Sequence, residues 1–129
     1  MKIRIVVAIC SLLLSTINLT AQDFGNFFKG VDAYEALDYV TAMNEWRIIA
    51  VQGDGNAQVN IGILYEGGKG VTRDRIRALM WYIIGEANGS SNASRFEKYL
   101  SRSMSDDEVL SAQNASKICL SSRYKDCGW

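Results

Sequence analysis

The chain has 129 residues, 48% hydrophobic, 10% aromatic and 22% charged, which is enough for one domain. Fourteen basic residues balance fourteen acidic ones, so the chain lacks the basic surplus that phosphate binding needs, and nucleic acid is set aside as a partner. Histidine is absent, which removes the commonest general base and metal ligand; proline is absent too, which suits a chain that is mostly helix.

Residues 1–21 read as a unit of their own. Lys2 and Arg4 precede the apolar run Ile5–Leu14, polar residues follow, and Leu19-Thr20-Ala21 offers a small residue before a cut at Ala21–Gln22. This is the layout of a secretory signal peptide. Ten apolar residues are too few to cross a bilayer comfortably, so no stable membrane insertion is expected after its removal. Cys10 follows the bulky Ile9, which argues against a lipoprotein cut. The expected location is a periplasm or the exterior. Removal leaves twelve basic against fourteen acidic residues.

Residues 22–30 read as a loosely held N-terminal arm whose Phe24, Phe27 and Phe28 need something to pack on, followed by a short helix from Val31 to Leu37. Asp38 to Val51 reads as the next helix, with Ala42, Trp46, Ile49 and Ala50 at helical spacing. Gly53-Asp54-Gly55 stops it, and Asn56 is placed to cap a helix that runs to about Glu66. Gly67-Gly68-Lys69-Gly70 permits a sharp reversal. Asp74 opens a helix to about Asn88, Gly89 ends it, and Asn92 to about Met104 forms another. Ser105-Asp106-Asp107-Glu108 is a capping box that starts a last helix to about Ser122.

The helices repeat. Shifted by 36 residues, Asp38–Ala57 matches Asp74–Ala93 at Asp38/Asp74, Ala42/Ala78, Ile48/Ile84, Gly53/Gly89, Asn56/Asn92 and Ala57/Ala93. A period of this size marks a stack of similar units. The fold class expected is all-α, an α/α superhelix or solenoid of antiparallel helix pairs, with five to six helices after the signal peptide. Small residues would let the helices approach, while Trp46, Tyr65, Trp81 and Tyr82 fill the space between them.

Asp38-Tyr39, Ala42 and Trp46, then Gly53, Ala57-Gln58, Gly62 and Tyr65, then Gly68, Gly70-Val71, Asp74, Ala78, Trp81-Tyr82 and Gly89 form an ordered pattern. In it the chain resembles the Sel-one-like repeat family, relatives of the tetratricopeptide repeats, over residues 31–93. The resemblance implies a superhelix with a grooved face for a protein or peptide, usually as an adaptor. Residues 94–129 depart from the pattern and resemble the closing helices that hide the apolar end of such a stack. Gly55 stands where the family usually has a helix-favouring residue, which would shorten that helix.

Cys119 and Cys127 are the two cysteines left after signal removal, and in an exported chain they read as a disulfide. Closing so short a loop is worth roughly 2–3 kcal/mol on chain-entropy grounds. No metal site, cofactor or catalytic residue is expected. Paired carboxylates brought together by folding stay open as a source of acid–base chemistry; Asp106 and Asp107 themselves read as complements of a helix dipole.

The docking face expected is Val59, Asn60, Ile63 and Glu66, the outward side of the helix over 56–66. Val59 and Ile63 are apolar where solvent is expected, so they either touch a third helix or help form a groove. Arg73, Arg75 and Arg77 form a basic cluster near the turn, read as a solvated face or a site for an acidic partner. The function expected is an exported scaffold that holds a protein partner without chemistry of its own. The alternative is a small secreted hydrolase acting on cell-wall or β-lactam-type substrates. Self-association through an extended stack is a third outcome.

Overall fold

The computed structural model describes residues 23–129, so the expected signal peptide, its cut and Cys10 lie outside the described residues. The described chain is all-helical, with six helices and no strand. α1 covers residues 23–35, α2 Tyr39–Ala50, α3 Gly55–Gly67, α4 Arg75–Ala87, α5 Ala93–Ser101 and α6 Asp106–Ser121. No helix among the described residues is long and apolar enough to cross a membrane.

Aspartates start three of the helices. The carboxylates of Asp38, Asp54 and Asp74 accept the backbone N–H groups of Thr41, Ala57 and Arg77 at 3.1, 2.8 and 2.9 Å. Each satisfies a donor that the first helical turn leaves free. The hydrogen bond to Thr41 also holds the Asp38 carboxyl below its usual range. α6 opens on a complete capping box, in which Ser105 and Glu108 each accept the other's backbone N–H.

Two expectations about boundaries change. Asn56 does not cap α3, because Asp54 does so two residues earlier. Gly55 therefore lengthens the helix rather than shortening it. It is glycine because α3 starts against the end of α4: a Cβ there would meet the Gly85 and Asn88 carbonyl oxygens at 2.8 and 3.0 Å. Asn56 instead accepts the Ser90 hydroxyl at 2.8 Å. The second change is at the start, where helix runs through residues 23–35 with no arm followed by a short helix. Phe27, Gly30, Val31 and Tyr34 recur at helical spacing and turn one face toward α2. Phe27 packs on the core, while Phe24 and Phe28 stay exposed. The turn after α1 closes at Leu37, which takes a left-handed φ of 62° so that Asp38 N–H can reach the Ala33 carbonyl.

From α1 to α5, consecutive helices pack antiparallel. Tyr34 of α1 meets Tyr39 and Trp46 of α2. Gly55 and Gly62 of α3 lie against Gly85 and Ala78 of α4, and Tyr82 of α4 stacks on Phe96 of α5 at 5.3 Å. The core runs through these contacts. Ala42, Trp46, Ala57, Tyr65, Ala78 and Trp81 are all buried in it. The breaks after α2, α3 and α4 use glycines in left-handed conformation, Gly53, Gly68, Gly70 and Gly89. α6 then turns back onto α4, which thus packs against α3, α5 and α6.

The tail is stapled to this last helix. Cys119 and Cys127 lie at disulfide distance, with their Cα atoms 4.5 Å apart. Arg123 and Tyr124 between them take positive φ and reverse the chain. Trp129 then stacks on Trp81 at 4.8 Å with the Arg47 guanidinium over its ring.

Two stability measurements follow. Gly62→Ala puts a Cβ 2.5 Å from the Tyr82 ring, so overpacking of about 1–3 kcal/mol outweighs the gain of about 1 kcal/mol in helix propensity. The urea midpoint should fall; a rise would mean that α3 and α4 are less tightly apposed. Cys119→Ser with Cys127→Ser should lower stability by roughly 2–3 kcal/mol and raise exposure of Trp81 to a collisional quencher.

Candidate functional site

One groove of the helical fold is built around Trp46. This indole is buried beneath α1, packs against Gly30, and donates its Nε1–H to the Phe27 carbonyl at 3.2 Å. Tyr34 leans over it at 5.9 Å between centroids. Lys69, from the turn after α3, hydrogen-bonds to the Tyr34 hydroxyl and sits over the Tyr34 and Tyr39 rings, 4.6 and 5.4 Å from their centroids. The tyrosine hydroxyl keeps the Lys69 ammonium protonated to a higher pH than usual. Between α1 and α3 these side chains leave a groove of about 300 Å³, lined by Val31, Tyr34, Glu35, Trp46, Asn60 and Ile63.

The four residues expected to share one docking face are divided by the structure. Asn60 and Ile63 line the α1–α3 groove. Val59 does not look outward; it is 3% exposed, with a methyl group lodged against Gly85. The missing side chain at Gly85 makes the notch that takes it in, so Val59 belongs to the α3–α4 seam. Glu66 stands one turn beyond Ile63 on the α3 surface. Its carboxylate accepts the Tyr82 hydroxyl at 2.6 Å. Burial first, and then this bond, push the Tyr82 phenol well above its usual range.

Glu66 also borders a second, more polar groove of about 520 Å³ with Arg73, Arg75, Tyr99, Leu100, Arg102 and Ser103. The arginine cluster is rearranged here. Arg73 donates to the Glu66 carbonyl at 3.0 Å, and Arg75 to the Ser103 carbonyl and hydroxyl at 2.8 and 2.6 Å. Arg77 turns away, pairs with Asp74 at 3.7 Å and lies over the Tyr65 ring. Arg102 takes its place in the groove. The antiparallel α4–α5 hairpin is what brings residue 102 beside residue 75, and alternation of helices along the chain was the available signal for it.

Folding also brings two carboxyl groups together across α4 and α5. Burial first, then a hydrogen bond to Glu86 and its charge, raise the Glu97 carboxyl to about 7. Neither acid lines either groove. Asp106 and Asp107 lie in the first turn of α6, where their charge complements the helix dipole. Among the described residues no group of three or more Asp, Glu, Cys or His side chains is placed to hold a metal ion.

No protein-family model matches this chain, and no curated protein matches it either.

The Glu86–Glu97 pair gives a pH dependence with a definite sign. An acid whose pKa is raised on folding stabilises the fold fully below its unfolded value and loses that contribution as pH rises through the folded value. The window here is from about 4.5 to about 7. Glu97→Gln should remove the part of the fall in melting temperature between pH 5 and 8 that this pair causes. An unchanged pH profile would show that the two carboxyls do not share a proton.

Proposed function

We propose that this is an exported scaffold of Sel-one-like, tetratricopeptide-type repeats, which holds a protein or peptide partner and carries out no chemistry of its own. The observation that carries the reading is the α1–α3 groove, an apolar floor of Val31, Tyr34, Trp46 and Ile63 edged by Asn60 and Glu35. Its volume of about 300 Å³ is enough for side chains of a peptide laid along the helices, in the manner of helix-lined recognition grooves. The 36-residue internal repeat, the signal-peptide layout of residues 1–21 and the pair of cysteines at disulfide distance support the family and the exported location.

The hydrolase reading draws on one observation, the Glu97 carboxyl beside Glu86, which burial first and then its neighbour raise to about 7. The grooves and the acids are separate, so a substrate held in either groove would not meet them.

The experiment immobilises the oxidised chain from residue 22 and compares it with Ile63→Asp and Glu97→Gln after each has been shown to be folded. Extract from the source compartment is passed over all three. A specific partner retained by the parent and by Glu97→Gln, and lost at least about tenfold on Ile63→Asp, is the expected result, since a buried charge without a counterpart costs well over 1.4 kcal/mol. Equal retention by folded Ile63→Asp rejects the groove. Turnover of a β-lactam or a cell-wall glycan that disappears in Glu97→Gln would replace the scaffold reading with the hydrolase.

A further inference from the structure

The groove at the end of α3 contains an unusual concentration of one charge. Arg73, Arg75 and Arg102 line it together, from three separate places in the chain: the loop before α4, the first residue of α4 and the residue that caps α5. Among the described residues the one ion pair within 4 Å is Arg77 with Asp74, so none of these three guanidinium groups has a carboxylate at that distance. The single acid in the lining, Glu66, is engaged by the Tyr82 hydroxyl. Glu108, at the start of α6, reaches Arg75 only as the weakest of the influences on its own carboxyl. The chain as a whole carries no excess of positive charge, so this concentration is local.

Two of the three are held in place. Arg73 is tied through Nε to the Glu66 carbonyl, and Arg75 through Nη2 to two acceptors on Ser103. Neutral acceptors position these guanidinium groups without neutralising them, and they leave N–H donors unused. A planar guanidinium fork matches a carboxylate in two parallel hydrogen bonds. Tyr99 stands beside them, 73% exposed, an aromatic surface for the aliphatic stem or backbone of whatever lies in the groove.

We propose that this groove receives an acidic segment of the protein partner, with Asp or Glu side chains paired to Arg73, Arg75 and Arg102. The assignment rests on the scaffold reading and deepens it by naming the chemistry of what is held. A peptide fits the groove better than a compact dianion. The three cations line an open space of about 520 Å³, far larger than one phosphate fills, and the Glu66 carboxylate on its edge opposes concentrated negative charge. Ile63 and Glu66 are neighbours on the α3 surface, so one extended segment can place an apolar residue between α1 and α3 and its acidic residues here.

The test uses the oxidised chain from residue 22 and fluorescence anisotropy with a labelled eight-residue glutamate-rich peptide. A glutamine-for-glutamate copy and a phosphoserine peptide serve as competitors. The glutamate probe should bind, weaken as salt is raised from 0.05 to about 0.5 M as screening predicts, and outcompete both others. Arg73→Ala and Arg102→Ala should each weaken it about two- to fivefold, and the double variant about tenfold. Arg77→Ala, whose guanidinium lies outside the groove, should stay within about twofold. Equal binding of the glutamine copy, equal loss in Arg77→Ala, or no binding of the glutamate probe at millimolar concentration overturns the proposal. Tighter binding of the phosphoserine peptide overturns the choice of carboxylate. A natural partner lost on Ile63→Asp but retained by the Arg73→Ala, Arg102→Ala double variant would sink this inference and leave the scaffold reading standing.

Discussion

The close contact of α3 with α4 is the constraint on which the remaining structure depends. Three glycines and an alanine face one another along this seam, Gly55 and Gly62 on one helix, Gly85 and Ala78 on the other. With so little side chain between them, the backbones approach until the Tyr82 ring rests against Gly62 and a Val59 methyl fills the notch at Gly85. Packing at this density tolerates neither an added methyl group nor a shift in register. It therefore sets the position of everything attached to either helix: Ile63 and Glu66 on α3, and Arg75 and Tyr82 on α4.

α4 is the hub because it carries large side chains on several sides. Leu79, Met80, Trp81, Tyr82 and Ile84 are all buried, although they follow one another almost without interruption. A helix apolar around most of its circumference needs neighbours around most of its circumference. α3, α5 and α6 supply them, and Trp129 from the tail covers Trp81. This accounts for α6 turning back onto α4. The Trp81 Nε1–H is left without an acceptor, the one buried side-chain polar atom among the described residues in that state. Its cost, about 1–3 kcal/mol, is comparable to the gain from burying the rest of so large a ring.

A polar thread that starts at buried Gln58 joins the helices to the tail. Gln58 is fully buried; it donates to the Ala50 carbonyl at 2.8 Å and accepts from Asn88 at 2.9 Å. Asn88 donates in turn to the Tyr124 hydroxyl at 2.9 Å. The chain of bonds links the end of α2, the start of α3, the end of α4 and the stapled loop. The side of α2 and α4 that faces the tail is thus filled by the chain itself, through Trp129 and Arg47. The grooves beside α3 are on surfaces that the tail does not occupy, so they stay open.

Much of the helix layout was legible in the sequence, because its causes are local. Aspartate before an apolar periodic run, a capping box, and glycine where the chain must take positive φ specify α2, α4 and α6 to within a residue or two without reference to the rest of the fold. The 36-residue self-similarity likewise marked which residues would be small or aromatic in the core. What lay beyond the sequence depended on neighbours. Helical spacing puts Val59 on the outward side of α3, but only the notch at Gly85 decides that it is buried. Residues 22–30 read as an arm by themselves, although their phenylalanines need a surface; Trp46 and the core beneath α1 give Phe27 one. The arginines adjacent in sequence at 73, 75 and 77 part company, and Arg102 joins two of them, because antiparallel packing brings distant ends together while helical geometry turns residues two apart to different sides. Local chemistry thus determined the helices and their ends; only the packing of one helix on another decided which side chains meet at a surface.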